Sequence, residues 1–379
     1  MRVETKLVHA GEPRPRHERA VSLPIYQSST FEYSGATDYH DLQYIRLNNT
    51  PNHAALHAKI AALEGTEAAL VAASGMAAIS STLLSLLQTG DHVLAHDGLY
   101  GGTFDFLTRD LPQLGISATF VDAGRPETWA AQVTPRTRIF YVETITNPTA
   151  QVVALDQVAR FARERGMVSV IDNTLATPIN YRPVEHGFDL VVHSATKYLN
   201  GHSDIVAGAV TGRAPLVTAV KRKLDHLGGA LDPHACFLLH RGLKTLALRV
   251  RYQSQSALEI ASFLANHPRV AKVNYPGLER HPHHARAREW FAAYGGLLSF
   301  ELTGGAAAAE QMFQRVTLPL SAPSLGGPET LITRPATTSH AGLSTDDRRR
   351  QGITDGLIRM SVGLEATQDL IDDLAAALV

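Results

Sequence analysis

Near the middle of the chain the stretch FDLVVHSATKYLNG, Phe188 to Gly201, sets an apolar run of Leu190, Val191 and Val192 directly before Ser194, Thr196 and Lys197. A buried strand ending this way presents two hydroxyls and an amine together. Lysine amines form Schiff bases with carbonyl compounds, and the nearby hydroxyls suit a phosphate on the same compound. Taken alone, the segment reads more plainly as a strand leaving the core with a solvated lysine, because lysines are mostly exposed.

Other segments change that weighting. RIFYV runs into Glu143 and Asn147, VSVI into Asp172, Asn173 and Thr174, and LVV into Ser194, Thr196 and Lys197. In a parallel sheet, ligands bind outside the carboxyl ends of the strands, so three successive ends rich in polar groups predict a pocket. An isolated Asp172 would be an ordinary turn residue. Beside a cofactor-bearing lysine, a buried carboxylate pairs with a pyridine nitrogen, keeps it protonated and makes the ring an electron sink. That combination points to pyridoxal 5'-phosphate (PLP). Ser74 and Gly75 precede a helical pattern carrying Ile79, Leu83, Leu86 and Leu87. A helix start of this kind is an ordinary cap, yet amides at Gly75 and Met76 also suit a phosphate.

These residues need a scaffold. The 379 residues are enough for two or three domains at about 150 residues each. With 35 Lys plus Arg against 36 Asp plus Glu the net charge is -1, which gives no electrostatic footprint for nucleic acid or an anionic membrane. The single cysteine, Cys236, excludes an internal disulfide framework, suits a reducing cytoplasm and reads as a buried small hydrophobe. No apolar run approaches signal-peptide or membrane-spanning length, so a soluble cytoplasmic protein is expected.

Along the chain, residues 1–52 lack periodicity and read as an exposed N-terminal arm. Within it LNNTPN is a turn that would hold Tyr44 and Arg46 outward, although alone they read as surface residues. HAALHAKIAALEG predicts a helix from His53, stopped by Gly65. Strands and helices then alternate through HVLAHD, SATFVD, RIFYVET, LDQVARFARERG, MVSVIDNT, FDLVVHSAT and IVAGAVTG. Their strands are continuous apolar runs, as in a buried parallel sheet. The PLP-binding domain is placed at 53–232. From 233 to 379 the pattern predicts a long helical segment with Gly242 as a possible boundary. A smaller α/β domain follows, with GGLLSFEL and LIRMSVGL as strands, AAAAEQMFQRV and ATQDLIDDLAAALV as helices, and Arg359 on a strand. An arginine fork can grip an amino-acid carboxylate. His281, His283 and His284 read as a solvated helix start rather than a metal site, and no metal is expected.

Together ASGMAAI, YGGTF, ETITNP, VIDNT, HSATKYLNGHSDIVAGAV, LDPHACFLLHRGLKTL, YPGL, SLGG and DGLIRMSVGLE resemble the Cys/Met-metabolism family of PLP enzymes over most of the chain. The resemblance implies the fold type I, aspartate aminotransferase-like α/β architecture, with a mostly parallel central sheet flanked by helices. It implies that Lys197 carries the cofactor and that Asp172 binds its ring nitrogen. Tyr100 would stack on the ring, with Thr174 also at the cofactor. Ser74, Gly75, Met76, Ser194 and Thr196 would hold the phosphate, with Tyr44 and Arg46 reaching in from a neighbouring subunit. Asn147, Ser324 and Arg359 would position the substrate. Lys197, Tyr100 and Asp172 would carry the catalysis in a homo-oligomer, usually a tetramer of two active dimers. Unperturbed Lys and Tyr have pKa values near 10, so both would need neighbouring positive charge, with Arg46 and the lysine–cofactor cation as its sources.

Substrate choice turns on departures from the family pattern. Pro323 stands before SLGG where members handling cystathionine often carry glutamate, which favours an apolar substrate. Gly102 stands where typical methionine γ-lyases have cysteine, which argues against a typical methionine enzyme, and the turn after Arg46 reads NNTPNH, a departure in the entrance loop. The expected activity is γ-elimination on a sulfur amino acid, first of all methionine. The alternatives are cystathionine γ-lyase, and γ-replacement as in cystathionine γ-synthase or O-acetylhomoserine sulfhydrylase. A non-catalytic scaffold on the same fold is a remote alternative, against which Lys197, Asp172, Tyr100 and Arg359 all argue.

Overall fold

A computed structural model describes residues 1–342 and 344–378. Its first sheet contains β1 (Ala68–Ala72), β2 (His92–His96), β3 (Ser117–Val121), β4 (Thr137–Glu143), β5 (Val168–Asp172), β6 (Leu190–Ser194) and β7 (Gly208–Gly212). The strand order is β1-β7-β6-β5-β4-β2-β3. The pairs β2·β3, β2·β4, β4·β5 and β5·β6 are parallel. The expectation that Gly208–Gly212 joins in parallel is corrected, because β7 runs antiparallel to both β6 and β1. The connection from Ser194 to Gly208 contains no helix of the kind that usually carries a chain across a sheet to a parallel strand, and the chain returns beside β6 in the opposite direction.

Apolar side chains cover both faces of this sheet, which is why its strands read as unbroken apolar runs. Ile171, Val191, Phe140 and Val142 face one core. Val170, Leu190, Val192 and Tyr141 face the other. The first core also receives the helix Pro51–Glu64 through Leu56, Ile60 and Leu63, which are almost fully buried. Each such side chain contributes roughly 2 kcal/mol of transfer free energy. That helix begins two residues before His53 because Pro51 suits its first turn, and Gly65 ends it at φ 74°.

The second sheet contains β8 (Val270–Asn274), β9 (Leu297–Leu302), β10 (Leu320–Ser321), β11 (Leu331–Thr333) and β12 (Ile358–Ser361), in the order β10-β11-β12-β9-β8. Between the sheets lie two helices, Pro233–Leu243 and Leu246–Ala265. Gly242 does not mark their boundary. It lies inside the first helix, where a Cβ would come within 2.3 Å of the Asn200 carbonyl oxygen, so close packing requires the glycine. The second helix belongs to both halves. Its start places Leu246, Ala247 and Val250 in the first-sheet core, and its end places Ala257, Ile260 and Leu264 in the second.

The N-terminal segment is not exposed throughout. Val3–His9 is a helix whose Leu7 is buried, with Lys59 Nζ donating to the Leu7 carbonyl at 2.8 Å. Glu12 is buried among Lys59, His240 and Lys244. Other parts of the segment are exposed, as at Val8, Val21 and Tyr33. The three histidines after Leu278 are likewise packed rather than solvated. His281 is buried, His283 Nδ1 accepts from Val152 N–H at 3.0 Å, and His284 bonds the Pro276 carbonyl at 2.9 Å. Among the described residues no helix is long and apolar enough to cross a membrane.

Candidate functional site

A cavity of about 720 Å³ opens at the carboxyl ends of β4, β5 and β6 and is closed on its far side by Ser324 and Arg359. It gathers most of the residues singled out from the sequence: Ser74, Gly75, Met76, Tyr100, Asn147, Asp172, Thr174, Ser194, Thr196, Lys197, Ser324 and Arg359 all line it. Tyr44 and Arg46 do not. Within this chain Tyr44 is exposed, while Arg46 donates to the Asp225 carbonyl at 3.0 Å and bonds the Tyr39 hydroxyl.

Lys197 is placed by the turn after β6, and its Nζ donates to Ser324 Oγ at 2.7 Å. Burial, followed by the Arg359 guanidinium, pushes its pKa down to about 8. The depression expected from Arg46 therefore has another source within the chain. An amine with that pKa is partly neutral near physiological pH and can act as nucleophile or base.

Asp172 ends β5 facing the cavity. One carboxylate oxygen accepts from the Thr174 N–H at 2.9 Å and from the Thr174 hydroxyl, which in turn accepts from Ser194 N–H at 2.8 Å. Burial raises its carboxyl above the usual range, while the Thr174 bonds and His193 work in the opposite direction. A cationic ring nitrogen is the partner that such a buried carboxylate lacks.

The helix Gly75–Leu86 starts at the same cavity. Ser74 Oγ caps it by accepting from Ala77 N–H at 2.9 Å, a contact typically worth about 1 kcal/mol. The N–H groups of Gly75 and Met76 have no acceptor among the described residues. A Cβ on Gly75 would lie 2.9 Å from Ser194 Cβ, so the glycine lets the amide cradle and the Ser194 hydroxyl converge. Thr196 is already engaged, donating to the Ala207 carbonyl at 3.1 Å and accepting from Ala207 N–H at 2.9 Å. The donor set, the helix start, the amine and the carboxylate fit PLP group by group.

On the second sheet Arg359 is almost fully buried, with Nη2 donating to the Ser324 carbonyl at 2.7 Å and Nη1 to Asn147 Oδ1 at 3.4 Å. Its Nε has no hydrogen-bond partner among the described residues, which leaves donor capacity for a carboxylate. Burial lowers its pKa to about 10, so it stays charged at neutral pH. Ser324 is held at φ 85°, a left-handed conformation costly for a residue with a side chain.

Tyr100 is partly exposed, and its N–H donates to Glu143 Oε1 at 2.6 Å. A Cβ on Gly102 would fall 2.7 Å from Tyr100 Cε1 and 3.3 Å from Met76 Sδ. Glu143, Ile145, Leu325, Thr338 and Ser339 also line the cavity without a role assigned from sequence. Position after an apolar run marks Glu143 beforehand, whereas nothing local marks Thr338 or Ser339.

Comparison with known proteins agrees with this geometry. The family model described as "Cys/Met metabolism PLP-dependent enzyme" matches residues 4–379. The chain is similar to a cystathionine gamma-lyase of Bacillus subtilis (41% identity, covering 100% of this chain and 99% of the relative). It is equally similar to an L-methionine gamma-lyase of Pseudomonas putida (41%; 99% and 96%). A cystathionine beta-lyase of Coxiella burnetii also shows 41% identity (99% and 97%), an activity outside the set expected from sequence. Among solved structures, a cystathionine gamma-lyase from Lactobacillus plantarum complexed with L-serine superposes with a TM-score of 0.94 at 37% identity, covering 100% of this chain and 98% of that one.

Proposed function

Because the chain belongs to the Cys/Met metabolism family of PLP-dependent enzymes, we propose that it catalyses γ-elimination on a sulfur amino acid, converting methionine and water to 2-oxobutyrate, ammonia and methanethiol. The carrying observation is the lining of the cavity. Its carboxylates are Glu143 and Asp172, both at strand ends, while Pro323 sits at the rim and Met76, Ile145 and Leu325 supply apolar wall. At Pro323 the described lining offers no counter-charge to a distal ammonium such as that of cystathionine.

In this reading Lys197 is the attachment point of the cofactor, Asp172 pairs with its ring nitrogen, and Tyr100 covers the ring. Ser74, Gly75, Met76, Ser194 and Thr196 would surround its phosphate end, with Thr174 beside Asp172 at the ring end. When bound, PLP supplies the electron sink that makes the substrate Cα proton acidic. Arg359, held by the Ser324 carbonyl and Asn147, grips the substrate carboxylate. The Lys197 amine, with a pKa near 8 and an anchor on Ser324 Oγ, takes the Cα proton. Tyr100, at the mouth, exchanges a proton with the departing sulfur. We place Tyr44 and Arg46 in a neighbouring subunit's site, which makes the working enzyme a homo-oligomer, a tetramer of two active dimers. A cytoplasmic setting suits the single buried cysteine.

Gly102 supports cystathionine as a second substrate reading, because a side chain there would displace Tyr100 and narrow the mouth. One panel of methionine, cystathionine, homocysteine and O-acyl-homoserine, the last with and without a thiol, separates the cases. Release of 2-oxobutyrate from methionine is expected. Turnover only of acyl-homoserine with a thiol overturns the lyase reading, and preferred turnover of cystathionine replaces methionine. Lys197→Ala should lose both turnover and the bound-cofactor absorption band; full retention would refute the assignment of Lys197.

A further inference from the structure

Glu143 closes β4 at the cavity, and the roles above leave it unused. The sheet register sets it directly beside Asp172, the last residue of β5. Tyr141 and Val170, two residues earlier on each strand, face the same core, so both carboxyl groups emerge on one side of the sheet. Glu143 is 5% exposed, and no cation faces it as a partner among the described residues. Two buried carboxyls side by side do not both ionise at low cost, and the better-solvated one keeps the charge. Asp172 accepts both an N–H and a hydroxyl from Thr174, whereas Glu143 accepts the single N–H of Tyr100.

We propose that Glu143 is a positioning residue that holds a proton at neutral pH, accepting the Tyr100 N–H to fix the turn that presents the Tyr100 ring while leaving the negative charge on Asp172 alone. Burial and the neighbouring Asp172 both push its carboxyl well above the ordinary range, against the Tyr100 N–H. The other titratable groups around it are Tyr141 on its own strand, Lys197 and Arg359 across the cavity, Tyr100 at the turn, and His96 with Asp97 at the end of β2. Neither cavity cation reaches it as an ion pair. A neutral acid here removes a competing negative charge from beside the ring nitrogen and makes Asp172 the one anion at that end of the site.

The inference rests on the reading of Tyr100 as the residue covering the ring. Its test compares holoenzyme, Glu143→Gln and Glu143→Ala by infrared spectroscopy, visible circular dichroism of the bound cofactor, and kcat/KM across neutral pH. Glutamine mimics the neutral acid and keeps an acceptor for Tyr100, so E143Q should stay within about threefold of wild type with an unchanged pH profile. E143A, which has no acceptor, should alter the dichroic band and lose about tenfold in kcat/KM. The wild-type infrared spectrum should contain a carboxylic-acid carbonyl band at neutral pH that E143Q lacks. Absence of that band, a loss in E143Q as deep as in E143A, or wild-type behaviour of E143A overturns the proposal. Tyr100→Ala measured alongside separates the two readings: an unchanged dichroic band refutes Tyr100 as the residue covering the ring, while the infrared result reports on the Glu143 proton by itself.

Discussion

Lys197 follows β6 of the first sheet and Ser324 precedes β11 of the second, yet Lys197 Nζ donates to Ser324 Oγ at 2.7 Å. The bond crosses between the two halves of the molecule and ends on a residue at φ 85°. Such a conformation costs on the order of 1 kcal/mol or more and persists only where the surroundings impose it. The Ser324 carbonyl in turn accepts from Arg359 Nη2 at 2.7 Å.

Removing that hydroxyl should therefore act on the amine more than on substrate binding. Ser324→Ala is expected to lower kcat about tenfold, the worth of one hydrogen bond to a charged group, with KM changing less than about threefold. Steady-state kinetics with methionine measure the split. Ser324→Gly relieves the backbone conformation as well, so an equal fall in both variants assigns the effect to the hydroxyl.

The depressed pKa of Lys197 predicts how the apoenzyme takes up its cofactor. Attachment needs the neutral amine, whose fraction rises with pH through a midpoint at about 8 and levels off only above it. Stopped-flow absorbance of covalent uptake should follow that curve. Arg359 is the second cause of the depression after burial, so Arg359→Ala should move the midpoint upward. A midpoint that falls or stays fixed contradicts the electrostatic link.

The amide cradle can be tested without touching a titrating group. Gly75→Ala places a methyl 2.9 Å from Ser194 Cβ, closer than Cβ contacts allow, and pushes the helix start away from Ser194. PLP affinity measured by equilibrium dialysis should fall at least about tenfold. An unchanged affinity would mean that the phosphate does not sit at this helix start.

Cys236 is fully buried, and burial raises its thiol pKa further. The native protein should leave an aromatic disulfide reagent unreacted, with one thiol titrating after denaturation. Reaction of the folded protein at the rate of free cysteine would contradict this packing.

The parts of this arrangement that were legible in sequence share a physical cause. β2, β4 and β6 are buried nearly throughout, so their apolar runs are unbroken and the polar residues after them stand out. Lys197 and Asn147 were readable for that reason, and Asp172 from the apolar pair Val170 and Ile171 before it at the end of β5. β8 carries Val-Ala-Lys-Val-Asn at the open edge of the second sheet, half exposed, and its composition resembles a loop. β10 and β11 are two and three residues long, too short for any periodicity to register. The Val3–His9 helix buries only Leu7 and so shows no apolar stripe. Thr338 and Ser339 reach the cavity by tertiary packing of a loop, which leaves no trace in spacing. The positions of Tyr44 and Arg46 came from family resemblance alone, since nothing within one chain brings them to the cavity.

One element joins the two halves of the chemistry. The helix Leu246–Ala265 is embedded at its start in the core beneath Lys197 and at its end in the core beneath Arg359. A single rod sunk into both bodies acts as a mechanical tie, so under the roles proposed for Arg359 and Lys197 the two side chains keep a fixed separation as the molecule flexes. Tilting one sheet against the other would require bending that rod or tearing one of its ends from a packed interior, and the span between recognition and reaction therefore behaves as a gauge rather than a hinge.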